Sequence, residues 1–138
     1  MTELASTVDT IRVSLHVLAA SIWVGGQFVV GGVVSSLRGT HRDALPLVAR
    51  AFGRLAWPAF AVLVLTGMWS LAVIDVTATS TGYQVAVFAK VLIAIAAGAA
   101  AAIHSYGSSR AAKALGGAAA ALLSVVALVL GVLISAGA

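Results

Sequence analysis

Four apolar stretches run along the chain, at roughly 11–34, 51–74, 84–106 and 117–137, with polar segments between them at 35–50, 75–83 and 107–116. Each stretch reaches about 20 residues, the length at which a helix crosses a hydrocarbon core of ~30 Å. Backbone amides in lipid must bond within their own segment, so the stretches are predicted as helices in spite of their many Val and Ile residues. The predicted fold is all-α, an integral membrane four-helix bundle in which 1–138 form a single transmembrane domain. None of the polar segments is long enough for a separate soluble domain.

Within these runs the few polar residues fall into stripes. His16, Ala20, Trp23 and Gln27 are spaced by four, three and four, which is one face of a helix. Arg54, Pro58, Ala61, Leu65 and Met68 keep the same rhythm in the second run, and Tyr83, Lys90 and His104 lie seven and fourteen apart in the third. The fourth run offers none, so it is expected to support the others. An ionisable group inside a span costs ~2.5–3.5 kcal/mol on insertion scales, and pointing all three stripes inward is the cheapest arrangement. Gly25, Gly26, Gly31 and Gly32 in the first run and Gly98 in the third are read as sites of close helix packing, with a homodimer seam as the alternative.

Composition agrees with a membrane and excludes other classes. The chain is 62% hydrophobic and 9% charged, with a mean hydropathy of +1.12, whereas a soluble domain carries roughly 25% charged residues. The net charge of +4 does not read as a nucleic-acid surface, because most of the basic residues sit between the apolar runs. Arg38, Arg42 and Arg50 mark the first connection, Arg110 and Lys113 the third, while the second carries only Asp75. The positive-inside rule then puts the first and third connections in the cytoplasm and both termini outside, in a plasma (inner) membrane. Arg12 departs from that rule and is expected to be offset by Glu3 and Asp9. Glu3, Asp9, Asp43 and Asp75 are all expected outside the helices. The first ten residues lack Lys and Arg, so the first run is read as a retained helix rather than a cleaved signal. With no Cys there is no thiolate metal site.

Depth selects among the polar residues. At 1.5 Å per residue, His16 is expected about 7 Å below the outer end of its helix, and Lys90 and Met68 about 9 Å below theirs, with Trp23 and Trp69 close by. His104 and Arg54 fall near the cytoplasmic end, and His16 and His104 are separated by ~20 Å along the axis, too far to share one metal or haem iron. His16 reads equally as a neutral histidine bonded to a facing helix and as a metal or haem ligand, with a proton carrier as a third reading. Lys90 either snorkels to the outer interface or pairs with an anionic ligand group. Met68 is a packing residue or, as a soft thioether, a ligand for Cu(I) or for a haem iron. Pro58 is expected to kink the second helix. Trp23 lies mid-span, where a cofactor wall or a core position suits it better than an interface belt. No paired carboxylates, nucleophile with a base, or phosphate loop is visible.

Taken together, Leu15-His16 with Trp23 and Gly26, Arg54 with Trp57-Pro58 and Leu65-Thr66-Gly67-Met68-Trp69, and Tyr83 with Lys90 form an ordered set of three motifs. The set resembles the membrane domain of CopD-type copper-resistance proteins and is similar to the HemJ-type protoporphyrinogen oxidases. The resemblance covers three of the four helices. The copper family implies copper passage across the inner membrane; the haem family implies bound haem b and porphyrinogen oxidation. Both imply that His16 and Lys90 are site residues.

Three functions follow as expectations. In a copper-handling protein, His16 with Met68 would contact Cu(I) as a transit site. In a haem b protein, His16 would be an axial ligand, Lys90 a propionate partner, and Trp23 and Trp69 walls for the macrocycle. In a non-catalytic membrane subunit or assembly factor, the stripes would pack against a partner chain; a homo-oligomer is also open. The lipid bilayer is a partner in every case, and nucleic acid in none.

Overall fold

A computed structural model of the chain describes residues 4–137. Glu3, paired above with Asp9 as a counter-charge for Arg12, lies outside them. Four long helices account for most of the described residues. Helix α1 spans Thr7–Leu37, α2 Leu45–Val73, α3 Thr81–Tyr106 and α4 Arg110–Ala136. Short 3-10 turns at Arg42–Ala44 and Val76–Ala78 complete the helical content, and no strand occurs among the described residues. All four helices are long and apolar enough to cross a bilayer.

The helices outrun the apolar stretches because their ends are set by caps rather than by hydropathy. Ser6 accepts a hydrogen bond from the Asp9 amide at 3.1 Å, Ser80 from that of Tyr83 at 3.3 Å and Ser109 from that of Ala112 at 3.0 Å. Each satisfies an amide that the first helical turn leaves without a partner. Pro46 sits in the first turn of α2, where its missing N–H costs nothing. At the far end of α1, the Arg42 Nε donates to the Arg38 carbonyl at 2.7 Å. Asp9 therefore lies inside the first turn of α1, not outside the helices as expected. Its negative charge there suits the positive end of the helix dipole.

The chain divides into two compact units, Met1–Ile74 and Asp75–Ala138. In the first, α1 and α2 pack against each other. The fully buried positions of α2 are Ala56, Ala59 and Thr66, and with the half-buried Phe52, Leu63 and Ser70 they form a stripe in the same four–three rhythm. The stripe expected to point inward, Arg54, Pro58, Ala61, Leu65 and Met68, is instead exposed. Small residues permit backbone approach where no hydrophobic effect drives helices together, so Ala56 and Ala59 take the seam. The long Arg and Met chains go outside. Gly26 is part of this seam, since a Cβ there would run into the Phe52 ring, whereas Gly25, Gly31 and Gly32 face open space. Pro58 is accommodated within a continuous α2.

In the second unit, α3 and α4 pack through Ala97, Gly98 and Ala100 against Gly116, Ala120 and Ser124, all buried. A Cβ on Gly116 would sit 2.8 Å from both the Ala100 carbonyl oxygen and the His104 amide nitrogen, so the backbones meet directly.

Only 11–22% of the residues in the most apolar window of each helix are buried inside the protein. The remainder is a large apolar surface, and water is no solvent for it. These helices present that surface to a lipid bilayer.

Candidate functional site

In the first unit α1 carries the site residues. Arg12, His16 and Trp23 lie on its inward face, and Gln27 is half-buried beside them. A π-helical turn at Ser21–Gly25 interrupts the helix and places Trp23 at its centre. Trp23 is 5% exposed and packs on Trp57 and Phe60, with ring centroids at 5.9 and 4.6 Å. It is thus the core of an aromatic cluster, one of the two positions its depth suggested. Trp69 is outside that cluster and 39% exposed.

His16 is hydrogen-bonded to Thr66, with Nδ1 and Oγ1 2.7 Å apart. Thr66 is 4% exposed. Its hydroxyl has a single proton, directed to the Val62 carbonyl at 2.6 Å, with Leu63 more distant at 3.2 Å. The hydroxyl oxygen must then accept from the imidazole. With Nδ1 as the donor of this bond, the neutral ring carries its lone pair on Nε2. Thr66 belongs to the second-helix motif but has no role in the sequence pattern; a hydroxyl able to face a histidine across a helix pair is the signal for it. Met68 follows two residues later, about 200° around the helix from Thr66, and is 62% exposed. The structure therefore sets Thr66, not Met68, beside His16 on the α2 seam.

One turn before His16, Arg12 is 8% exposed and bonds Asp9 through Nη2 at 2.8 Å. That ion pair delivers the offset expected of Asp9. The Arg12 Nε and Nη1 are buried and have no hydrogen-bond partner, and each such unmet donor costs ~1–3 kcal/mol.

In the second unit Lys90 and His104 share the face of α3 that meets α4, as their spacing requires. The Lys90 ammonium lies in the notch left by Gly131, where a Cβ would come within 2.9 Å of Nζ. His104 donates from Nδ1 to the Lys113 carbonyl at 2.6 Å, and a Cβ on Gly117 would meet its ring at 2.7 Å. Helix α4, expected to be inert, thus supplies the glycines that make room for both groups. It also buries Ser124, a polar residue that the sequence reading passed over. His41 is exposed in the first connection.

Among the described residues no three His, Cys, Asp or Glu side chains gather as a metal-binding group would. Four membrane-length apolar helices with a few inward polar side chains define the class of the molecule: an integral, multi-pass membrane protein. The chain matches no family model, no curated protein and no solved structure.

Proposed function

We propose that this protein handles copper ions within a plasma (inner) membrane, as the resemblance to CopD-type proteins implies, with His16 as the fixed contact. The observation that supports the reading is the imidazole held by Thr66. A histidine whose Nδ1–H is fixed by a hydrogen-bond acceptor offers Nε2 in a set direction, the arrangement that metal-ligating histidines use. Imidazole nitrogen is a suitable donor for copper. One oriented nitrogen holds such an ion briefly, which suits passage rather than storage. Met68 is a separate soft contact for Cu(I) on the outer side of α2. In the orientation that the arginines favour, the Arg38–Arg50 connection and the Arg110–Lys113 segment face the cytoplasm and both termini lie outside.

Haem b is the second reading. The same Nε2 would serve as an axial ligand. The fit is partial, because Trp23 already packs against Trp57 and Phe60 and does not leave an open face for a macrocycle.

The test is copper accumulation by cells producing the wild type, His16→Ala or Thr66→Val. We expect His16→Ala to fall to the level of cells without the protein. Thr66→Val keeps the shape but loses the acceptor, and we expect a 10–100-fold weaker copper dependence, the usual effect of removing such a partner. Equal accumulation with the wild type and His16→Ala would refute the copper reading. A Soret band in the purified wild type that disappears in His16→Ala would transfer His16 to the haem reading.

A further inference from the structure

The outer surface of the first unit contains a groove of about 280 Å³ between α1 and α2. Leu18 and Ile22 form one wall, Leu55 and Val62 the other, with Pro58 between them and Arg54 at one end. Arg54 forms no hydrogen bond or ion pair among the described residues. Pro58 has no N–H, so the Arg54 carbonyl also lacks its usual helical donor. An apolar trough therefore ends at an exposed residue with an unmatched guanidinium and an under-used carbonyl.

We propose that this groove binds one anionic glycerophospholipid, its phosphate on Arg54 and an acyl chain along the trough. The argument is charge complementarity combined with length. A guanidinium in hydrocarbon needs an anion, and phosphate oxygens match its fork of donors. Between positions 38 and 54 the chain carries Arg38, Arg42, Arg50 and Arg54 against the single acid Asp43. Arg50 is one turn from Arg54 on the same face, towards the connection. A phosphatidylcholine headgroup carries a cation that offsets its phosphate and gains little from this basic cluster; a phosphatidylglycerol headgroup keeps its full negative charge. From Arg54 to Val62 is eight residues, or about 12 Å of helix, close to the ~15 Å half-thickness of a hydrocarbon core. The trough thus takes a chain from one leaflet, with the phosphate at the level of the arginines. This site is separate from His16 and does not depend on the copper reading.

The full chain, purified in detergent, is exchanged against equal phosphatidylglycerol and phosphatidylcholine, and native mass spectrometry counts the lipid retained. We expect one phosphatidylglycerol to be retained in clear preference to phosphatidylcholine. Arg54→Gln should reduce that preference by about fivefold, the effect of one basic residue at an anionic surface, and Arg54→Lys should keep most of it. Leu18→Trp fills the trough from an exposed wall position and should reduce occupancy by both lipids. Circular dichroism checks that each variant keeps its helix content. Equal retention of the two lipids by the wild type, or an unchanged preference in Arg54→Gln, would overturn the proposal.

Discussion

Glycine at the α3–α4 seam gives a test in which two effects of one substitution oppose each other. Replacing Gly by Ala in a helix interior favours the helix by about 1 kcal/mol. At Gly31 nothing lies within 4 Å of the added Cβ, so Gly31→Ala should show that gain undiminished. At Gly116 the same methyl group would stand 2.8 Å from the Ala100 carbonyl oxygen and from the His104 amide nitrogen, and 3.2 Å from the His104 Cα. All three are backbone atoms, and backbone yields only if the whole of α3 moves away from α4. Overpacking of this kind costs ~1–3 kcal/mol, which exceeds the propensity gain over most of that range. Gly116→Ala is therefore expected to destabilise the protein by roughly 1 kcal/mol net, and the two variants should differ by about 1–3 kcal/mol. The assay is reversible unfolding in bicelles, followed by steric trapping or by titration with a denaturing detergent. If Gly116→Ala proved as stable as Gly31→Ala, the direct backbone contact between α3 and α4 would be refuted.

Two further outcomes follow from the ion pair of α1 and the second connection. The Arg12 side chain is only 10% exposed in its pair with Asp9, so Asp9→Asn leaves a buried guanidinium without its counter-charge and should cost about 3 kcal/mol in the same unfolding assay. Arg12→Met should be neutral or stabilising, because it removes the two buried donors that lack acceptors; a large loss in that variant would show those donors to be satisfied. The Thr77 hydroxyl, bonded to Asp75 at 2.6 Å, and then the Ala78 and Thr77 backbone hold the Asp75 carboxyl below its ordinary value of 3.8. A lowered folded-state pKa means that the stabilisation is full above the unfolded value and is lost as pH falls through the folded one. Hydrogen-exchange protection of the Thr77 amide, corrected for intrinsic exchange, should therefore drop below about pH 4 in the wild type, and in Asp75→Asn it should be low and flat.

The four helices were legible because lipid imposes a length and a composition on any segment that crosses it. Their ends were not, because hydropathy reports where the apolar run stops and not where the backbone finds a cap. Ser80 and Ser109 start α3 and α4 several residues before the runs at 84 and 117. The inward face of α1 was legible, since His16, Trp23 and Gln27 are the only large polar or amphipathic groups in mid-helix, and burying them is cheaper than exposing them to lipid. The face of α2 was not. Two stripes with the same four–three rhythm compete there, and the one bearing Arg54 and Met68 reads as inward because it carries the polar chemistry. In lipid the decisive property is size. Ala56 and Ala59 let α1 approach, whereas an arginine on that seam would hold the helices apart.

The same reasoning explains why α4 looked inert while determining where the polar groups of its own unit rest. A charged or aromatic heterocyclic side chain on α3 needs a vacancy on the facing helix as well as a favourable face of its own. Glycine creates a vacancy without leaving any polar signature. Gly131 receives the Lys90 ammonium and Gly117 the His104 ring. In the first unit the solution is different, because His16 meets a hydroxyl instead of a hole, and Gly67 beside it would tolerate a Cβ at 3.9 Å from the ring. A glycine that could be enlarged is not what positions His16; Thr66 does so by a directed bond. The distinction separates a group that is merely accommodated from one that is oriented. Lys90, in its glycine notch, is held by shape, and shape alone fixes no donor direction. His16 is tied to Thr66 by a directed bond at Nδ1, and a bond at one ring nitrogen is what orients the other.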